Sequence, residues 1–115
     1  LIRKFKKAIE IKPDSHEVLH NWGTGLGNLA KTKEGKESEE LYNQAFEKFK
    51  KAIEYGGRSY NISCLYALRN EKENALKYLN ISLKNYEIDV DFVEKDADWL
   101  HYLEDKEFIE LLRKI

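Results

Sequence analysis

Cysteine and proline occur once each in these 115 residues. No apolar run approaches the roughly 18 residues that a bilayer-spanning helix needs, so no membrane association is expected. With Cys64 alone, an intramolecular disulfide and any Cys-x-x-Cys metal or redox motif are excluded. The scarcity agrees with a reducing compartment, and a cytoplasmic location is the expectation. Net charge is also lacking. Charged residues make up 36% of the chain, yet the formal net charge is −1, so no global field favours nucleic acid or an anionic surface. Two-residue alternation of apolar and polar residues is nowhere sustained, which leaves no material for strands. The chain opens with Leu1 rather than Met, at what reads as the middle of a helix. The expectation is that upstream sequence, with any targeting signal, has been removed.

What is present is helix. Pro13, the Gly23 to Gly27 cluster, Gly35 and the Gly56-Gly57 pair punctuate the chain, predicting helical segments at about 1–11, 15–32, 38–55, 58–69 and 71–84. Asp14 with Glu17, and Asn70 with Glu73, have capping-box spacing, an oxygen acceptor three residues before a carboxylate. The length suits one domain. The expected architecture is all-α, made of antiparallel helix pairs joined by short turns.

The helices repeat. Phe5-x-x-Ala8 leads to Pro13, Ala45-x-x-x-Phe49-x-x-Ala52 leads to Gly57, and Ala75-x-x-x-Leu79-x-x-Ser82 occupies the fifth segment. The helices before the last two carry Leu19-x-x-Trp22-Gly23-x-x-Leu26 and Ser59-x-x-Ile62-Ser63-x-x-Tyr66. This wording resembles the tetratricopeptide repeat, a helix-turn-helix unit with W-x-x-L-G-x-x-Y, A-x-x-x-F and P at fixed places. YNISCLYALRNEKENAL is similar to a phrase common in that family. The resemblance covers residues 1 to 86 and implies a short right-handed α-solenoid: 1–14 as the second helix of a truncated repeat, 15–57 as a repeat with extended helices, and 58–86 as a further repeat. Leu26 to Ala45 is ten residues longer than Tyr66 to Ala75, which places extra turns around AKTKEGKESEELYNQ. The GGRSYN junction is four residues shorter than the family's usual step.

Residues 87–115 leave the repeat. DADWLHYLEDKEFIELL resembles the segment that follows terminal repeats in many bacterial repeat proteins. Trp99, Leu100, Leu103, Phe108, Leu111 and Leu112 are expected to form an apolar stripe covering the last repeat, since a stacked array otherwise ends on a bare face. Residues 87–107 hold nine acidic and two basic residues, a local net of −7. That tail is either a solvated acidic cap or a docking surface for a basic partner.

Two short motifs invite catalytic readings. Gly23, Gly25 and Gly27 alternate as in a phosphate-binding loop, but Asn28 sits where the last glycine belongs and no strand precedes. At 100° per residue Leu19, Trp22, Leu26 and Leu29 share the face expected to be buried, with Gly23 and Gly25 flanking it where a neighbouring helix presses close. Three interior glycines cost about 1 kcal/mol each against alanine, so packing must compensate. H-E-V-L-H, His16 to His20, matches the zinc-protease pattern H-E-x-x-H, in which two histidines hold the ion and the glutamate activates water. The third ligand position is Leu26 rather than His, with Glu39 or Glu40 as stand-ins by spacing alone. The repeat register explains the same segment without a metal, so no cofactor and no catalysis are expected, and a zinc metallopeptidase is the remote alternative. Cys64 and the tyrosines Tyr42, Tyr66 and Tyr78 read as packing residues.

The resemblance implies a protein-interaction module whose concave groove holds a peptide or helix. Its stripe would be Glu17, His20, Thr24, Gly27 and Asn28 from one repeat and Tyr60, Cys64, Ala67 and Leu68 from the next. Family members that clamp chaperone C-termini use Lys, Arg and Asn there; the basic pair is missing from this stripe, so that ligand is not expected. The alternative is a terminal segment of a larger protein whose activity lies upstream.

Overall fold

A computed structural model describes residues 2–115. Among the described residues the chain is all helical, with no strand and no helix long and apolar enough to cross a membrane. It divides into two units, Leu1–Arg58 and Ser59–Ile115.

The first unit contains α1 (Ile2–Ile11), α2 (His16–Lys31) and α3 (Gly35–Glu54). The ten extra residues lengthen helices instead of forming a loop: α2 has 16 residues, α3 has 20, and only Thr32 to Glu34 separate them. Ser15, not Asp14, caps α2, its hydroxyl accepting from the Val18 amide at 3.3 Å. Leu19, Trp22, Leu26 and Ala30 of α2 bury against Ala45, Phe46, Phe49 and Ala52 of α3. Leu29 departs from the expected buried face at 40% exposure, while Ala30 is fully buried. The α2–α3 seam therefore follows the line through Gly23, Leu26 and Ala30, where small residues let the helices approach. Gly23 shows this directly, since a Cβ there would lie 2.9 Å from the Phe49 ring. Trp22 is buried as expected, stacked on Phe5 of α1 at 6.1 Å with the Lys48 ammonium 3.9 Å from its ring centroid.

The second unit is built around α4 (Tyr60–Leu68), with α5 (Lys72–Lys84), α6 (Val90–Lys95), a 3₁₀ helix (Ala97–Tyr102) and α7 (Lys106–Lys114). α4 packs on both α5 and the 3₁₀ helix, and α7 packs on α5. Residues 97–102 repeat every three positions instead of every 3.6, so Trp99 and Tyr102 share the buried side. Leu100 and Leu103, expected in the apolar stripe, are instead 58% and 39% exposed. Trp99 stacks on Phe108 of α7 at 5.4 Å, and Val93 of α6 is fully buried.

Three helices end in the same way. The residue after the helix cap turns left-handed, and its own amide and the following one bond back to the last-turn carbonyls. Gly56 (φ 90°), Asn70 (φ 58°) and Tyr86 (φ 57°) hold that position after α3, α4 and α5. The closing bonds run from Gly57 to Ala52, from Glu71 to Tyr66 and from Glu87 to Ser82. Asn70 is thus spent on ending α4. The expected Asn70–Glu73 box is replaced by Glu71 at the start of α5, with no side-chain cap.

Candidate functional site

The expected groove stripe draws on both units, and its two halves have different surroundings. In the first unit the start of α2 borders an open cavity of about 370 Å³, lined by His16, Glu17, His20, Asn21, Gly57 and Arg58. The Gly56-Gly57 turn ending α3 brings Arg58 there. Gly57 is fixed in that role, because a Cβ would meet the Ala52 carbonyl oxygen at 2.8 Å. Glu17, Asn21 and Arg58 are exposed and His20 is half-buried, its ring edge-on to Phe49 at 5.6 Å. Burial holds the His20 imidazole below the usual histidine range, and the positive Arg58 and the neighbouring His16 push it the same way.

The rest of that half does not continue the surface. Thr24 is half-buried, with a fully buried hydroxyl that has no hydrogen-bond partner among the described residues. Gly27, expected on the groove, is buried, because it lies beside the α2–α3 seam. Asn28 is exposed but borders a different cavity, an apolar one of about 860 Å³ between α1 and α2 that also takes in Phe5, Trp22, Gly25 and Leu29.

In the second unit the expected groove residues lie under the chain's own tail. Tyr60, Cys64 and Ala67 are buried and only Leu68 is half-buried, so an open surface at these positions is corrected by the structure. The tail supplies their partners. The Tyr60 hydroxyl donates to Asp96 Oδ2 at 2.7 Å, the Cys64 thiol points to the same oxygen at 3.8 Å, and His101 Nε2 lies 3.0 Å from the Ala67 carbonyl oxygen. Burial pushes the Cys64 thiol up to about 12, with the Asp96 carboxylate adding to it. The Tyr60 phenol is raised for the same two reasons.

Much of the acidic tail is occupied in the same way. Glu87 Oε1 accepts from the Ser59 and Tyr60 amides at 2.6 and 3.2 Å, capping α4. Asp89, Asp96 and Asp105 cap α6, the 3₁₀ helix and α7. Carboxylates at helix N-termini satisfy orphan amides and the helix dipole together. Lys72 Nζ, 2.9 Å from both Asp105 and Glu107, ties α7 to α5.

No protein-family model, curated protein or solved structure matches the chain. What it can do must be read from these residues. Among the described residues His16 and His20 are not grouped with Glu39 or Glu40 as a third ligand-type side chain, and Arg58 adds positive charge beside them. The one group of three ligand-type side chains brought together among the described residues is Cys64, Asp96 and Asp98. Spacing could not reveal it, since more than thirty positions separate the cysteine from the aspartates. Arg58 was also missed, although the glycine pair before it marks a sharp turn.

Proposed function

We propose that this chain is a non-catalytic protein-binding module of tetratricopeptide-like helix pairs stacked as a short solenoid, working in the cytoplasm. The observation that carries the reading is the open cavity at the start of α2, where hydrogen-bonding side chains gather. It offers donors from Asn21 and Arg58 and an acceptor from Glu17, with His20 at its margin, and is suited to a polar segment of a partner peptide or helix. The functional stripe is then narrower than the family pattern implies, with Glu17 and His20 joined by Arg58. The apolar cavity between α1 and α2 would seat a helix, supplied by the partner or by the rest of a larger parent protein.

The test is affinity capture with the full chain, identification of the partner, and titration of that partner against wild type and a Glu17→Ala/Arg58→Ala double variant. The variant should fold normally by circular dichroism and bind at least tenfold more weakly, about 1.4 kcal/mol. Equal affinity would remove the cavity from the binding site. Zinc-dependent peptidase activity lost in Glu17→Gln would replace the proposal with the metallopeptidase reading.

A further inference from the structure

The Cys64 cluster in the second unit has a feature that capping and packing leave unexplained. Sγ of Cys64 and one carboxylate oxygen from each of Asp96 and Asp98 lie within 4.8 Å of one another. Asp96 has structural work here, its Oδ1 accepting from the Asp98 amide at 2.9 Å and its Oδ2 from Tyr60. Trp99 is the exception. Its side chain is fully buried, and its Nε1–H, a group that can only donate, has no hydrogen-bond partner among the described residues. A buried donor left unpaired is costly, and each such group in a native fold asks for a reason.

The indole N–H sits where it stabilises negative charge on the Cys64 sulfur, although no formed hydrogen bond joins them. A thiol is a poor acceptor and a thiolate a good one. Beside two carboxylates, in a buried setting, a bare thiolate has the wrong charge. A cation in place of the thiol proton offsets the charge of the thiolate and the two carboxylates, and the thiolate is then the acceptor toward which the indole N–H can donate.

We propose that Cys64, Asp96 and Asp98 bind one divalent ion of the zinc class. On binding, the Sγ–H bond breaks, the proton passes to solvent, and a sulfur–metal bond forms without any change of oxidation state. The dimensions suit this. Sγ and Asp96 Oδ2 are 3.8 Å apart, and bonds of about 2.3 and 2.1 Å at a tetrahedral angle leave roughly 3.6 Å between sulfur and oxygen. A thiolate with two carboxylates selects a borderline ion over Mg²⁺ or Ca²⁺, which want more oxygen ligands. Asp96 and Asp98 are part-exposed, which gives the ion a route in and leaves a further position to water. The Tyr60 hydroxyl, donating to Asp96, would orient the ligand from behind. The net −7 of residues 87–107 favours a cation in this part of the chain. Such an ion would fasten the 3₁₀ helix to α4, a structural role independent of partner binding by the first unit.

Cobalt(II) tests this, because a cobalt–thiolate bond absorbs in the near ultraviolet. Titrating the full, reduced chain with Co²⁺ should raise that band to saturation at one equivalent, and Zn²⁺ should displace it. Cys64→Ser should abolish the band. Asp98→Asn, at a part-exposed position, should keep the fold by circular dichroism and weaken Co²⁺ binding at least tenfold; it carries the test if the cysteine variant does not fold. His16→Ala/His20→Ala should leave the band unchanged. Folded wild type that shows no band in several-fold excess Co²⁺, or Asp98→Asn that binds as wild type does, would overturn the site.

Discussion

α2 and α4 hold the same place in the expected repeat but have opposite surroundings. α2 buries six of its sixteen residues and keeps Glu17, Asn21 and Asn28 in solvent. α4 buries seven of nine. Their own sequences contain the reason. HEVLHNWGTGLGNLAK has a polar side that water can solvate, whereas YNISCLYAL has no charged residue at any position. A helix that is apolar all round must be covered all round, and in the second unit the residues after Glu87 complete that cover. The lesson concerns small neutral residues such as Cys64 and Ala67. A repeat template reads them as a permissive groove, while the composition of the whole helix reads them as interior.

The comparison is broken hardest at the two tryptophans. Trp99→Ala removes a fully buried ring stacked on Phe108 and should cost about 4 to 5 kcal/mol, the upper part of the range for large aromatic truncations. Trp22→Ala, at the margin of α1, should cost about 3 kcal/mol. Urea unfolding of each variant, followed by the remaining tryptophan and by circular dichroism, gives the two values. A larger loss at Trp22 would mean that the tail is an appendage instead of part of the core.

The turn that delivers Arg58 comes next. Gly57→Ala drives a Cβ onto the Ala52 carbonyl and should cost about 1 to 3 kcal/mol, as overpacking does. It should also weaken partner binding by displacing Arg58. Gly23→Ala meets the Phe49 ring instead, and its helix-propensity gain of about 1 kcal/mol offsets part of the strain. A stability equal to wild type in Gly57→Ala would show that the turn is not constrained there.

The two units should also respond to opposite ends of the pH scale. His20 in the folded chain titrates below its ordinary 6.5, so the unfolded chain takes up a proton first, and the first unit loses stability as pH falls below about 6.5. Cys64 behaves in the reverse sense in chelated, metal-free protein. Its fold holds a proton that the unfolded chain releases, so stability is full below 9.0 and falls as pH rises toward about 12. Tyr60 acts in the same direction. Single-tryptophan variants, unfolded with urea across the pH range, separate the arms, and an acid-sensitive second unit with an alkali-sensitive first would reverse the assignment.

The smallest change is at Tyr86, which is 93% exposed in a left-handed turn after α5. Tyr86→Gly relieves a strain of about 1 kcal/mol and should raise the thermal midpoint of the second unit slightly. Gly56 already has the favoured residue in the equivalent position, so Gly56→Ala should lower that of the first. A fall on Tyr86→Gly would show that the tyrosine makes a contact worth more than the strain.

Much of the local structure is legible in the residues. Pro13 and the glycines mark the breaks, the spacing of Leu19, Trp22 and Leu26 marks a buried face, and the aromatic run after residue 98 marks a segment seeking cover. Residues with two competing uses are harder. Asn70 fits a helix start and a helix end equally well by type, and only the closing bond from Glu71 to Tyr66 shows that it ends α4. Leu29 and Ala30 are adjacent, and which of them faces α3 depends on how closely Gly23 lets Phe49 approach.

The sequence by itself determined the helical periods, the breaks between helices, the lack of strands and the need to bury α4, because these depend on backbone sterics and on apolar residues close along the chain. Only the tertiary structure decided where the tail lies, that Glu87 caps α4, and that Cys64 meets Asp96 and Asp98. Those pairings join residues about thirty positions apart through side-chain shape and hydrogen-bond geometry, and neither leaves a periodic trace in the chain.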